Sequence, residues 1–248
     1  MSRAVVSALD AQQIQAGDQA MLITPTPLRL SRKVRLLRQQ QLPRTINQEE
    51  ALGNVEAALR RQRGAFVRLI ECAEVPDFLV TITPAGNYEL QDADGRPIPY
   101  LRPALPITMA GAAEKLVGRL IHLAKYRNVL RLENQSALSS IVGKLHVELR
   151  RKQEDEDAQW RSEAGTSPLL EPGEKVDLII HNASQMRLQI AVLDLAHDWS
   201  IQQLYPQKNT LALEPQQTEK IPLQATLAQP YREGTDTLKV FAAAFCPI

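Results

Sequence analysis

Two cysteines and four histidines could in principle supply a nucleophile or a metal site, and their spacing favours neither. A thiol nucleophile needs an imidazole to take its proton and backbone donors to hold the resulting oxyanion. Cys72 follows the strand-like run Leu69-Ile70-Glu71 and reads as a small buried hydrophobe. Cys246 stands two residues from the C-terminus, where a fixed oxyanion pocket is hard to build. So far apart, the pair reads as reduced thiols rather than a disulfide framework. His122, His146, His181 and His197 are scattered, whereas metal ligands cluster at short fixed spacings, so no metal is expected. His122, on an apolar helix, reads as a satisfied or half-exposed histidine. The 11 glycines form no phosphate cradle of the G-x-G-x-x-G or G-x-x-x-x-G-K kind, so nucleotide binding is disfavoured and no cofactor is expected.

Charge offers a second chemistry. The whole chain carries a net +1, which exerts no general pull toward nucleic acid or anionic lipid. Residues 1–70 nevertheless hold eleven Arg and Lys against five acids. Arg32, Lys33 and Arg35, with Arg60, Arg61 and Arg63, could form a basic face able to meet phosphate or an acidic surface. The competing reading is a solvated face balanced by Glu154-Asp155-Glu156-Asp157. With aromatic residues at 4%, base-stacking platforms are not expected and nucleic acid is disfavoured as a partner. Asn182-Ala183-Ser184 fits a glycosylation acceptor, but without an apolar leader at Met1-Ser2-Arg3 it reads as a turn between strands. No apolar run reaches the roughly 20 residues of a membrane helix, and a cytoplasmic location is expected.

The elements that would position these residues change character along the chain. A 44% hydrophobic fraction with 23% charged residues suits a folded chain of one large or two ordinary domains. Short strands are expected over residues 4–8, 19–23 and 28–36. A helix follows over about 47–63, capped by Asn47 with Glu50 three residues on, and Gly64 suits its C-terminal side. A strand over 65–71 and a hairpin over about 78–90 precede the proline-spaced run 97–106, a linker or extended edge. A second helix, capped by Thr108, is expected over about 108–129 with Leu116, Leu120 and Leu123 on its apolar stripe. Residues 141–149 alternate as a half-buried strand. From Pro168 to Phe245, apolar runs recur between turn residues every 8–14 positions, as in an antiparallel sandwich or barrel. The expected fold is therefore α+β: an N-terminal mixed α/β portion, residues 1–135, followed by a C-terminal antiparallel β-sandwich, residues 136–248.

Three ordered strings carry a likeness to a known family. Asp194-Leu195-Ala196-His197-Asp198-Trp199-Ser200-Ile201-Gln202-Gln203-Leu204-Tyr205-Pro206 resembles the segment "LD-x-x-x-DWSI-x-x-LYP" that follows the peptidase domain of prokaryotic caspase-like proteins, the metacaspase and orthocaspase group. Glu233-Gly234-Thr235-Asp236-Thr237-Leu238-Lys239-Val240-Phe241-Ala242 resembles that region's "EGTDTLKVFA" ending, and His122-Leu123-Ala124-Lys125-Tyr126-Arg127-Asn128 its "HLAKYRN" helix. The family sets its histidine in an "HG" context and its cysteine in a "D-x-C-H/Y-S-G" context, and neither occurs here, so its catalytic dyad transfers onto no residue of this chain. The resemblance implies a non-catalytic accessory region that binds a protein partner such as a caspase-like peptidase domain. Trp199 and Tyr205, with Tyr231 and Arg232 of the loop 229–235, are the expected contact residues, though for Trp199 a core anchor is the favoured reading. An alternative is a free-standing regulator or proteolytic substrate in a caspase-linked bacterial defence pathway, cut in an exposed loop at Arg150-Arg151-Lys152. A third is nucleic-acid binding through the basic residues 29–63.

Overall fold

A computed structural model describes residues 31–62, 66–71, 73–132, 141–151, 168–206, 212–227 and 232–244. The expected strands at 4–8 and 19–23, both cysteines, Arg63, Gly64, Lys152 and Tyr231 lie outside the described residues. Within them the fold is α+β and mostly β, with two helices and three sheets.

The first sheet has five strands: β1 (Arg32–Leu36), β2 (Val67–Leu69), β3 (Phe78–Ile82), β4 (Asn87–Gln91) and β5 (Leu105–Pro106), in the order β2-β1-β3-β4-β5. β1 runs parallel to both of its neighbours, and the β3–β4 and β4–β5 pairs are antiparallel. The central strand β3 is buried along its whole length, as an interior strand covered on both faces must be. Helices α1 (Gln48–Arg61) and α2 (Ala112–Leu130) join it in one core. Asn47 caps α1 as expected: its Oδ1 accepts from the Glu50 amide at 3.2 Å, and its Nδ2 donates to the Glu50 carboxylate at 2.9 Å. Leu52, Val55 and Leu59 face Leu116, Val117, Leu120 and Leu123 of α2 within that core. Here α2 corrects the expected start. It begins at Ala112, after Gly111 in the left-handed conformation at φ +71°, and no side chain caps it. Residues 107–111 fold as turns instead, with the Met109 amide on the Pro106 carbonyl and the Ala112 amide on that of Met109.

Beyond residue 141 the chain forms two three-stranded antiparallel sheets. The first, in the order β10-β7-β6, contains β6 (Leu145–Arg151), β7 (Lys175–Asn182) and β10 (Thr218–Gln224). The second, in the order β11-β8-β9, contains β8 (Leu188–Leu195), β9 (Ile201–Tyr205) and β11 (Thr237–Ala244). One hydrophobic cluster draws on both sheets: Leu178, Ile180 and Ile221 from one, Leu188, Ile190, Val192 and Tyr205 from the other. Leu213, just after the undescribed residues 207–211, adds an isolated antiparallel bridge to Leu188. β6 also departs from expectation. It starts only at Leu145, because Ile141–Gly143 make a turn with Gly143 at φ +69°. As an edge strand it leaves Val147 45% exposed.

Candidate functional site at the junction of the two cores

The hairpin joining β8 to β9 is the local device from which the site is built. Leu195 pairs with Ile201, the Ala196 amide donates to the Ser200 carbonyl at 3.0 Å, and the Trp199 amide closes back on Ala196 at 3.0 Å. Such a tight loop requires a left-handed residue at its end, a position that ordinarily falls to glycine. Here Trp199 occupies it at φ +71°. For a bulky side chain that conformation costs about 1–2 kcal/mol. Tyr100 is left-handed as well, at φ 64°. Of the three non-glycine residues with positive φ among those described, two therefore meet at this one place.

Both rings are held there by the opposite half of the molecule. Trp199 is half-buried and packs against the first core, edge-on to Tyr126 of α2 with ring centroids 5.1 Å apart. Its Nε1 donates to the Pro99 carbonyl at 2.8 Å, and its own carbonyl accepts from His122 Nε2 at 2.6 Å, which fixes that tautomer. The Tyr126 hydroxyl lies 3.0 Å from the Leu195 carbonyl and 3.2 Å from that of Ala196. Lys239 Nζ donates to the Leu130 carbonyl at 2.9 Å.

Behind the loop, His197 has an 8% exposed side chain and lies edge-on to Tyr100. Its backbone amide and its Nδ1 both reach Asp236 Oδ1, at 2.8 and 2.9 Å. Gly234 lies flat against this ring, and a Cβ there would come within 2.5 Å of it, so no larger residue fits. The three strings that carry the family likeness, well separated in sequence, thus converge on one junction.

The junction's charges are uneven. Burial, then the neighbouring Asp236 and Asp198 carboxylates, raise the Asp194 carboxyl above its ordinary range. Asp198 is held below its ordinary range by the side-chain and backbone hydrogen bonds of Ser200. Burial, followed by the nearby aspartates, pushes the Tyr126 hydroxyl up. In front of the loop a cleft of about 380 Å³ opens between α2 and Trp199. It is lined by Lys115, Gly118, Arg119 and His122 of α2, by Tyr100 and Arg102, and by Asp198. The Arg119 guanidinium is fixed by donating to the Pro103 carbonyl at 2.5 Å, and burial lowers its pKa.

The residues singled out from the sequence fall in different places. Trp199 reaches the junction, whereas Tyr205 is turned into the second core and only 6% exposed. Arg232 is exposed beside the junction. Arg150 and Arg151 are not in a loop: they end β6, opposite Asp177 and Val176, and pair with Glu148 and Glu174. A protease would have to strip β6 from β7 to reach them. The basic face is broken up by local acids. Arg32 is buried against Asp77 and Asn128, and Lys33 meets Glu74 at 3.0 Å. Arg35 donates to the Glu74 carbonyl, Arg60 pairs with Glu56, and Arg61 pairs with Glu114. Within the described residues, these acids supply the balance. Among the described residues no three His, Cys, Asp or Glu side chains gather as a metal site would need. Nor is any helix among the described residues long and apolar enough to cross a membrane.

Sequence reasoning missed Lys115, Gly118 and Arg119. Their signal was a glycine inside a helix with cations three residues before it and one after, off the apolar stripe. Compared with protein-family models, curated proteins and solved structures, the chain finds no match.

Proposed function

We propose that this chain is a non-catalytic, cytoplasmic protein-interaction region of a bacterial caspase-like cysteine peptidase, its two three-stranded sheets forming the layers of an antiparallel β-sandwich. The observation that carries this reading is the convergence at Trp199. The three strings resembling the accessory region supply one junction, and their polar groups are engaged in holding it. His122 bonds a backbone carbonyl and His197 bonds Asp236, contacts that brace the junction. Two bulky residues held in a strained conformation at one place mark a built feature and not an incidental linker. The partner would meet the rim of this junction, where Arg232 and Glu233 are exposed.

The test is co-purification of this chain with a bacterial caspase-like peptidase domain supplied as a separate polypeptide, together with an assay of hydrolysis on generic peptides. Capture by the wild type, weakened by Trp199→Ala, and no turnover by the chain alone are expected. Peptide hydrolysis that disappears on replacing His122, His197 or a cysteine would overturn the reading.

A further inference from the structure

We propose that the cleft between α2 and the β8–β9 loop binds an acidic, extended peptide segment of a partner protein, an inference that rests on the protein-interaction reading above. Charge is the first ground. Most cations elsewhere in the described structure have a carboxylate within ion-pair distance, as Arg32, Lys33, Arg38, Arg60, Arg61 and Arg68 do. Arg102, Lys115 and Arg119 have none among the described residues, and all three line one cleft.

Shape is the second ground. Lys115, Arg119 and His122 stand at i, i+4 and i+7, a single helix stripe about 10 Å long. An extended chain covers that length in about three residues, whereas one phosphate group reaches only part of it. Between the cations, Gly118 presents bare helix backbone. A Cβ built there meets nothing within 4 Å, so no packing inside the molecule requires the glycine. A helix-interior glycine is a local disadvantage, and what it provides here is a smooth floor to the cleft. The walls supply apolar contact from Leu101, Leu123 and the Tyr100 ring. A second open hollow of about 710 Å³ shares Leu101 and Arg102 with it and is lined further by Pro103 and Ala104, which suits a strand-like ligand running on beyond the helix.

Asp198 decides between polyanions. Its carboxylate lies in the same cleft and accepts the Ser200 amide at 2.9 Å. Its charge opposes every polyanion, but its remaining lone pairs can accept amide hydrogens, which a peptide main chain carries and a phosphate backbone does not. A mixed wall of three cations and one carboxylate fits acidic side chains on a peptide main chain.

Fluorescence anisotropy with a labelled short peptide of alternating glutamate and leucine tests this, using the full chain. The competitors are inorganic phosphate and oligothymidylate, and Lys175→Glu on β7 is the control for charge change elsewhere. Lys115→Glu, an exposed helix position, should weaken peptide binding at least tenfold, and the control less than twofold. Gly118→Ala should weaken binding at least threefold while raising the melting temperature, a combination that misfolding cannot produce. No binding at millimolar peptide, equal losses in Lys115→Glu and the control, or displacement by phosphate or oligothymidylate as effective as by unlabelled peptide would each overturn the proposal. Undiminished capture of a caspase-like peptidase domain by Lys115→Glu would overturn the cleft's role and leave the wider reading standing. Peptide binding without capture by the wild type would do the reverse.

Discussion

Asn182 is a small side chain on which much of the second core depends. It is fully buried at the end of β7, where its Nδ2 donates to the carbonyls of Met186, Leu213 and Glu214 at 2.8–3.1 Å. Its Oδ1 accepts from the amide and hydroxyl of Ser184. Replacing Asn182 with alanine removes all of these bonds and leaves the buried Ser184 amide without its acceptor, and a loss of about 2–3 kcal/mol is expected, read as a lower urea midpoint at unchanged slope. The turn at Asn182 was legible from residue types alone. Its burial was not, because two of the carbonyls it serves, those of Leu213 and Glu214, lie some thirty residues away.

Two carboxylates should titrate in opposite senses. Glu74 is held down to about 2, first by the hydrogen bonds from Arg68 and Lys33. Its contribution is present above the ordinary carboxylate range and fades as pH falls toward 2, so Glu74→Gln should be less stable at pH 7 and equal near pH 2. Asp194 is raised by burial, and its buried Oδ1 accepts no hydrogen bond from the described residues. Its ionised form therefore costs stability at neutral pH. Asp194→Asn should gain stability there, and the gain should vanish below about pH 4, where the wild-type carboxyl is protonated in folded and unfolded states alike. Thermal melts across pH check both.

At the scale of elements, periodicity and capping chemistry found both helices and most strands. Asn47 with Glu50 fixed one helix start because a cap is a contact between neighbours in sequence. Thr108 misled because Gly111, left-handed in the structure, offered a start that no side-chain rule announces. The turn at His197-Asp198 before β9 was legible, but the left-handed residue that closes it was not, since tryptophan stands where glycine is the usual signal. That substitution separates two roles. Trp199→Gly relieves local strain and should leave the hairpin intact, yet it removes the ring packed on Tyr126 and the bond to Pro99. A net loss of stability in Trp199→Gly would show that docking outweighs strain, and a net gain would show the reverse; the loss is expected. In α2, Gly118→Ala should stabilise by about 0.5–1 kcal/mol, since nothing obstructs the added methyl group.

At the scale of the molecule, the decisive fact is that, among the described residues, two hydrophobic clusters meet through a small polar and aromatic joint. Two cores with so slight a connection need not melt together. Scanning calorimetry of the wild type should show one transition, and Trp199→Gly should broaden or split it. A single unchanged peak in the variant would mean that some other contact couples the cores. Sequence reading placed a division near residue 135 but had no view of the joint. Its partners are brought together only by tertiary structure, as His122 with Trp199 shows across 77 positions.

That separation also sets an order of events on the ribosome. The first core is complete in sequence by Leu132, but Leu195 and Trp199 follow only some sixty residues later. At about 5–20 residues per second, the flank of α2 around Tyr126 stays uncovered for several seconds of synthesis. During that interval a nascent chain shows chaperones, or a neighbouring nascent copy, a surface that the finished molecule conceals.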